Sequence, residues 1–345
     1  MKRAAMLFAA LAATSATAEE VTVTAVPLPS FQNAAIGQRV QGLVYRGGLQ
    51  LSSVHDDFGG LSGIGFTGPD GKLAMVSDEG NFVSGQLIYD ETGAPLSLVG
   101  VTIVPIKNSK GVDLPRAFAR DAEALSVVER DGAPHSVRVG FENLTRVADF
   151  TLTNGVPGGP AREVTIPDWL SDARTNESLE AVCIAPPTSP VAGSTLLLTE
   201  GVIEGDGSHS AYLLGKNDKG PLTYRSGSGT NPTDCAFLPN GDLLVLERGV
   251  SMLTFSMALR RVPAADVRPG NLMTGQLLLS ASGGTIDNME SLAVHTAPDG
   301  EVRILIGSDN NFNDWQRTLL LEFALTGSIA VALALMVMGQ PEPSP

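Results

Sequence analysis

The chain is patterned as short apolar runs, each opened by a carboxylate, and the pattern repeats. It is clearest in Arg120-Asp121-Ala122-Glu123-Ala124-Leu125-Ser126-Val127. It returns as Leu179-Glu180-Ala181-Val182, Thr233-Asp234-Cys235-Ala236-Phe237 and Met289-Glu290-Ser291-Leu292-Ala293-Val294. Upstream, Leu61-Ser62-Gly63-Ile64-Gly65-Phe66 has the same shape without the acid. The heads at 62, 123, 180, 234 and 290 are separated by 61, 57, 54 and 56 residues. A period of that size predicts a repeat array or a propeller.

Behind each head comes a second apolar run that ends in polar groups. These are Leu73–Gly80, Val137–Asn143, Leu196–Gly201, Leu243–Gly249 and Ile304–Asn311. Asp70-Gly71, Asp131-Gly132, Asn240-Gly241 and Asp299-Gly300 stand between first and second runs, a strong short-range signal for a β-hairpin. Third and fourth strands follow, for example Gln86–Tyr89 and Val101–Val104. Four short strands per unit is the pattern of a propeller blade. The fold class expected is therefore all-β, a propeller of five four-stranded blades. A sixth is allowed if Val21–Pro27 is more than a lead-in. The last unit has room for only three strands, ending near Phe323. The N-terminal run Gly42–Leu51 is expected to supply the fourth, closing the ring and removing its open edges.

Composition changes the picture in two respects. Lys2 and Arg3, the apolar run Ala4–Ala13 and Ala16-Thr17-Ala18 have the three parts of a secretory signal. The expected division is a signal peptide at 1–18, one propeller domain at 19–325 and an apolar, Pro-rich tail at 326–345. A periplasmic or secreted location follows. The tail's run Ile329–Met338 is too short to span a bilayer, and no stable membrane insertion is expected. The second respect is charge. The chain carries 23 basic and 37 acidic residues, and removing residues 1–18 leaves 21 against 37, or −16. Such a surface is a poor partner for nucleic acid. The two cysteines, Cys183 and Cys235, sit in first strands of consecutive units. A disulfide or two buried thiols both fit.

In a propeller the innermost strands line a channel and their ends surround its mouth. Glu123, Glu180, Asp234 and Glu290 are expected to ring one opening, with Asp78, Glu79, Glu142, Glu200, Glu247 and Asp309 as a wider set. So many carboxylates raise one another's pKa unless something positive neutralises them. Arginines of the same motifs can do so, as can a hard cation such as Ca²⁺ with its oxygen ligands. The competing reading makes each head acid an acceptor for backbone N–H groups of the next blade. Asp309-Asn310-Asn311-Phe312-Asn313 has the opening spacing of a calcium loop, but Asp314 and Leu320 stand where an EF-hand has Gly and Glu. The sequence holds no G-x-S-x-G, H-E-x-x-H or P-loop.

Taken together, Leu61-Ser62-Gly63-Ile64, Val76–Gly80, Asp121–Leu125, Glu142 with Arg146, Glu180-Ala181, Glu247-Arg248 and Asp309-Asn310 resemble the bacterial phytase-like domain family, often labelled "esterase-like activity of phytase". The resemblance runs from about Gly42 to Phe323. It implies an exported β-propeller and Ca²⁺-assisted hydrolysis of a small-molecule phosphoester or other ester. Carried over, it makes Glu123, Glu180 and Glu290 the expected catalytic carboxylates. Asp78, Glu79, Asp121, Glu142, Asp234, Glu247 and Asp309 become the expected metal ligands, and Arg146 and Arg248 the phosphate-binding groups. The alternative is a non-catalytic propeller that binds a ligand or an envelope protein at the same mouth.

Overall fold

The computed structural model describes residues 19–326, apart from 116 and 253. The expected signal peptide and the run Ile329–Met338 lie outside the described residues. Five antiparallel sheets form a five-bladed propeller. Blade 1 runs Leu61–Phe66, Lys72–Ser77, Asn81–Tyr89 and Pro95–Pro105 from the axis outward. Blade 2 comprises Ala122–Arg130, Ala133–Phe141, Arg146–Thr153 and Val156–Val164. Blade 3 comprises Ala181–Ile184, Thr195–Ile203, His209–Leu214 and Gly220–Arg225. Blade 4 comprises Asn231–Phe237, Leu243–Ser251, Thr254–Val262 and Gln276–Ser282. Blade 5 takes Asn288–Thr296, Val302–Asp309 and Thr318–Leu325 from the end of the chain.

The fourth strand of blade 5 is Leu43–Ser52, paired antiparallel with Thr318–Leu325 from Leu43↔Leu325 to Leu51↔Thr318. This is the expected closure of the ring. The segment that left a sixth blade open divides instead into two edge strands. Thr24–Leu28 adds to blade 5 beside Leu43–Ser52, and Glu19–Val21 adds to blade 1 beside Pro95–Pro105.

Alternation explains why the second strands are continuously apolar rather than one-sided. Successive side chains of a strand point to opposite faces, and here both faces are covered by a neighbouring blade. Leu196 and Leu198 pack toward blade 4 while Leu197 packs toward blade 2. Likewise Leu243 and Val245 face blade 3, and Leu244 and Leu246 face blade 5. Each of five hydrophobic clusters fills one interface between consecutive blades. Hairpins tighten at Asp70-Gly71 and Asp131-Gly132, where both residues of each pair take positive φ, the conformation such turns require. Cys183 and Cys235 form a disulfide with Cα atoms 5.9 Å apart, joining the inner strands of blades 3 and 4.

Candidate functional site

The five inner strands enclose the axial channel. Along the inner strands lies a cavity of about 180 Å³ lined by Ile64, Leu125, Ser126, Glu129, Cys183 and Cys235 among others. At the mouth the strand register is broken in the same way in four of the five blades. The pairing skips one residue between Leu61 and Gly63, between Ala122 and Ala124, between Pro232 and Asp234, and between Met289 and Ser291. In blade 3, Ala181 opens the ladder opposite Leu198, so Glu180 holds the corresponding place. Bulges of this kind re-aim a side chain. The residues so placed are Ser62, Glu123, Glu180, Thr233 and Glu290.

The same registers define a second ring. Gly63, Ala124, Ala181, Asp234 and Ser291 pair with Val76, Gly140, Leu198, Leu246 and Gly307. Two residues further along the second strands stand Asp78, Glu142, Glu200, Arg248 and Asp309. Blade 4 therefore contributes Thr233 and Arg248 where the motif reading expected Asp234 and Glu247. Each of those acids is displaced by one residue, which turns it to the other side of its strand.

Their surroundings show what they do there. Asp234, 1% exposed, accepts the backbone N–H groups of Cys235 and Leu292 at 2.7 Å each, tying blade 4 to blade 5. Glu247 is fully buried. It accepts from the Tyr224 hydroxyl at 2.6 Å, the Thr230 hydroxyl at 2.7 Å, the Gly227 N–H and the Arg260 guanidinium. Both are structural acceptors, the competing reading of the motif, and neither is placed as a metal ligand. Glu79 is exposed and lies 3.8 Å from Arg120, outside the ring positions. Arg146 lies with its guanidinium carbon 3.8 Å above the Phe141 ring and donates to the carbonyls of Leu144 and Ala119. Burial pulls its pKa down to about 10, and both of its terminal nitrogens donate to backbone carbonyls.

The remaining expected residues come together. One oxygen from each of Asp121, Glu123 and Glu142 lies within 4.8 Å of the others. Burial pushes Glu123 well above the ordinary carboxyl range, reinforced by Glu290, Asp121, Glu142 and Asp78. Burial does the same to Glu180, with Glu142, Glu123 and Glu200 adding to it. Glu142 rises to about 8 through burial, although a hydrogen bond with Glu180 opposes the rise. Asp78 rises to about 7, first by burial and then by Asp309, Glu79 and Asp121. Glu290 is raised by burial and by the adjoining Asp309.

Charge compensation is confined to one side. Arg248 donates to Glu290, to Asn288 Oδ1 at 2.9 Å and to Glu200 at 3.4 Å. Burial disfavours its charge, but Glu290, Glu180 and Glu200 outweigh that and hold it charged. The amides of Asn288 and Asn231 complete this side, donating to Glu290 at 2.7 Å and to Glu200 at 3.1 Å. Sequence motifs gave no signal for these asparagines: each is the first residue of an inner strand, ahead of the acid-headed run by which the strand is recognised. On the blade 1–2 side Asn143 donates to Asp121. Asp78 Oδ1 and Glu142 Oε1 are buried there with no hydrogen-bond partner, and Glu142 is 3% exposed. Leaving such an oxygen unsatisfied costs about 1–3 kcal/mol. An all-oxygen, anionic donor set with orphaned atoms fits a hard divalent cation, and the triad Asp121, Glu123 and Glu142 can hold one.

A family model described as "Phytase-like: Esterase-like activity of phytase" matches residues 56–312. The chain belongs to the phytase-like family. Among the curated proteins none matches it. Solved structures are similar to it at low identity. An endo-arabinase from Bacteroides thetaiotaomicron is 12% identical, with a TM-score of 0.46, covering 79% of this chain and 96% of that one. A glucose dehydrogenase is 14% identical, with a TM-score of 0.36, covering 78% of this phytase-like chain and 98% of its own.

Proposed function

We propose that this phytase-like propeller is an exported hydrolase of small-molecule esters, phosphoesters foremost, working at the acidic mouth with Ca²⁺ held there. The observation that carries the reading is the pair of orphaned oxygens, Asp78 Oδ1 and Glu142 Oε1, beside the triad Asp121, Glu123 and Glu142. Asp78, Asp121, Glu123 and Glu142 would hold the cation. When bound, such an ion supplies charge neutralisation at the ester oxygens and a more acidic water. The phosphoester preference comes from the family description, with other esters as the wider class.

The chain's own groups have complementary tasks. Burial, and after it Glu142, raises Glu180 well above the ordinary carboxyl range, a direction that suits a proton donor to a leaving oxygen. Glu290 sits between Arg248 and Asp309 and orients that side of the mouth. Export is supported by the three-part N-terminal pattern and by the Cys183–Cys235 disulfide, since such bonds persist in oxidising compartments.

The test is calorimetric titration of Ca²⁺ followed by a panel of phosphate and carboxylate esters, with and without EDTA. Turnover that needs Ca²⁺ and falls about 10²–10³-fold in Glu123→Gln is expected, the range for loss of one group that stabilises charge in the transition state. Full turnover in excess EDTA would remove the metal from the reading. Ca²⁺ binding without turnover on any ester would leave a binding module.

A further inference from the structure

Resting on the metal reading above, we infer that Arg248 is a resident cation that limits the mouth to one divalent ion, bound on the blade 1–2 side. The repeat itself makes the argument. The second-strand ring reads Asp78, Glu142, Glu200, Arg248, Asp309, so blade 4 places a guanidinium where the other four blades place a carboxylate. Its partner position in the inner ring is Thr233, which is neutral. It is buried and donates to the Met289 carbonyl at 3.2 Å.

The consequence is a mouth with two unlike halves. Toward blades 3 and 5, Arg248 bridges Glu200 and Glu290, and two amides supply further donors. One oxygen of Glu200 and one of Glu290 are already taken, and a divalent ion would have to sit beside or displace a buried guanidinium held by several carboxylates. Toward blades 1 and 2, no ion pair reaches Asp78, Asp121, Glu123 or Glu142 among the described residues. Two of their oxygens are buried without partners. A cation entering the mouth meets unpartnered buried oxygens on one side and a resident guanidinium on the other. A hard divalent ion takes six to eight oxygens, and the buried mouth oxygens left without a partner, Asp78 Oδ1 and Glu142 Oε1, are both on the blade 1–2 side, away from the positive charge of Arg248.

Substitution at position 248 separates the halves. Arg248→Gln removes the charge, Arg248→Glu installs the residue type of blades 2 and 3, and Arg248→Lys keeps the charge. Each protein is prepared in Ca²⁺ so that a variant needing the ion to fold is still measured. Bound Ca²⁺ per chain is then counted by equilibrium dialysis, and the isotherm is recorded by calorimetry after stripping. The expected stoichiometry is one for the wild type and Arg248→Lys, and two for Arg248→Gln and Arg248→Glu. Two ions in the wild type would overturn the inference, as would a single ion in both Arg248→Gln and Arg248→Glu. No Ca²⁺ binding by the wild type would instead remove the metal from the proposed function, and this inference with it.

Discussion

At the scale of single residues, what decides a carboxylate's role is which neighbours it has, and the acids divide cleanly. Glu142 is buried, carries an oxygen without a partner and has its pKa raised to about 8. Glu142→Gln should therefore stabilise the protein in EDTA, raising the melting temperature on the order of 2 °C, while shrinking the Ca²⁺-induced rise. Differential scanning calorimetry with and without Ca²⁺ checks both signs. Glu247 is the opposite case, since four neighbouring groups donate to it and Arg260 neutralises it. Glu247→Ala should cost about 3–5 kcal/mol, as breaking a buried ion pair does, in urea unfolding, and leave Ca²⁺ stoichiometry unchanged. An unaltered unfolding midpoint would contradict the role assigned to it.

At the scale of elements, the strands were legible and the bulges were not. The apolar runs, the Asp-Gly turns and the period near 56 residues all describe local chain geometry, and each appears where the sequence put it. Glu123, Glu180 and Glu290 stand at the mouth as the motif expected, each directly ahead of its apolar run. Blade 4 misled because Thr233-Asp234 and Glu247-Arg248 each offer two polar neighbours for one position. The bulge between Pro232 and Asp234 chooses the first pair member in the inner strand. That choice is a matter of strand pairing, and no spacing rule within one strand carries it. The same limit applies to Arg146, whose stacking on Phe141 depends on the hairpin joining second and third strands. The Cys183–Cys235 bridge closes a separation of 52 residues between two blades. Replacing both cysteines with alanine should lower stability by about 2–4 kcal/mol, measured by urea unfolding of the oxidised protein against the double variant.

At the scale of the whole molecule, stacking five blades around an axis crowds like charges at one end, and pH should report it. Asp78 and Glu142 have folded-state pKa values of about 7 and 8, above those of an unfolded chain. Between the unfolded and folded values the native state binds more protons, so its stability falls as pH rises. In EDTA the melting temperature should therefore drop from pH 5 to pH 8, and saturating Ca²⁺ should flatten that slope. A stability that rises with pH in EDTA would refute the protonated mouth.

The strand that closes the ring has a consequence in time as well as in space. Leu43 pairs with Leu325 and Leu51 with Thr318, so the first long strand to be synthesised waits for the last. Contacts of such sequence separation form slowly. Until they form, Leu43, Tyr45, Leu49 and Leu51, all buried in the finished ring, have no permanent partner. Blades 1 to 4 can collapse as the chain emerges, yet the fifth stays incomplete and leaves an apolar edge for other chains to find. A chain ending before Thr318 should accumulate as aggregate rather than as a four-bladed intermediate, and this protein's yield should depend on how fast its final residues arrive.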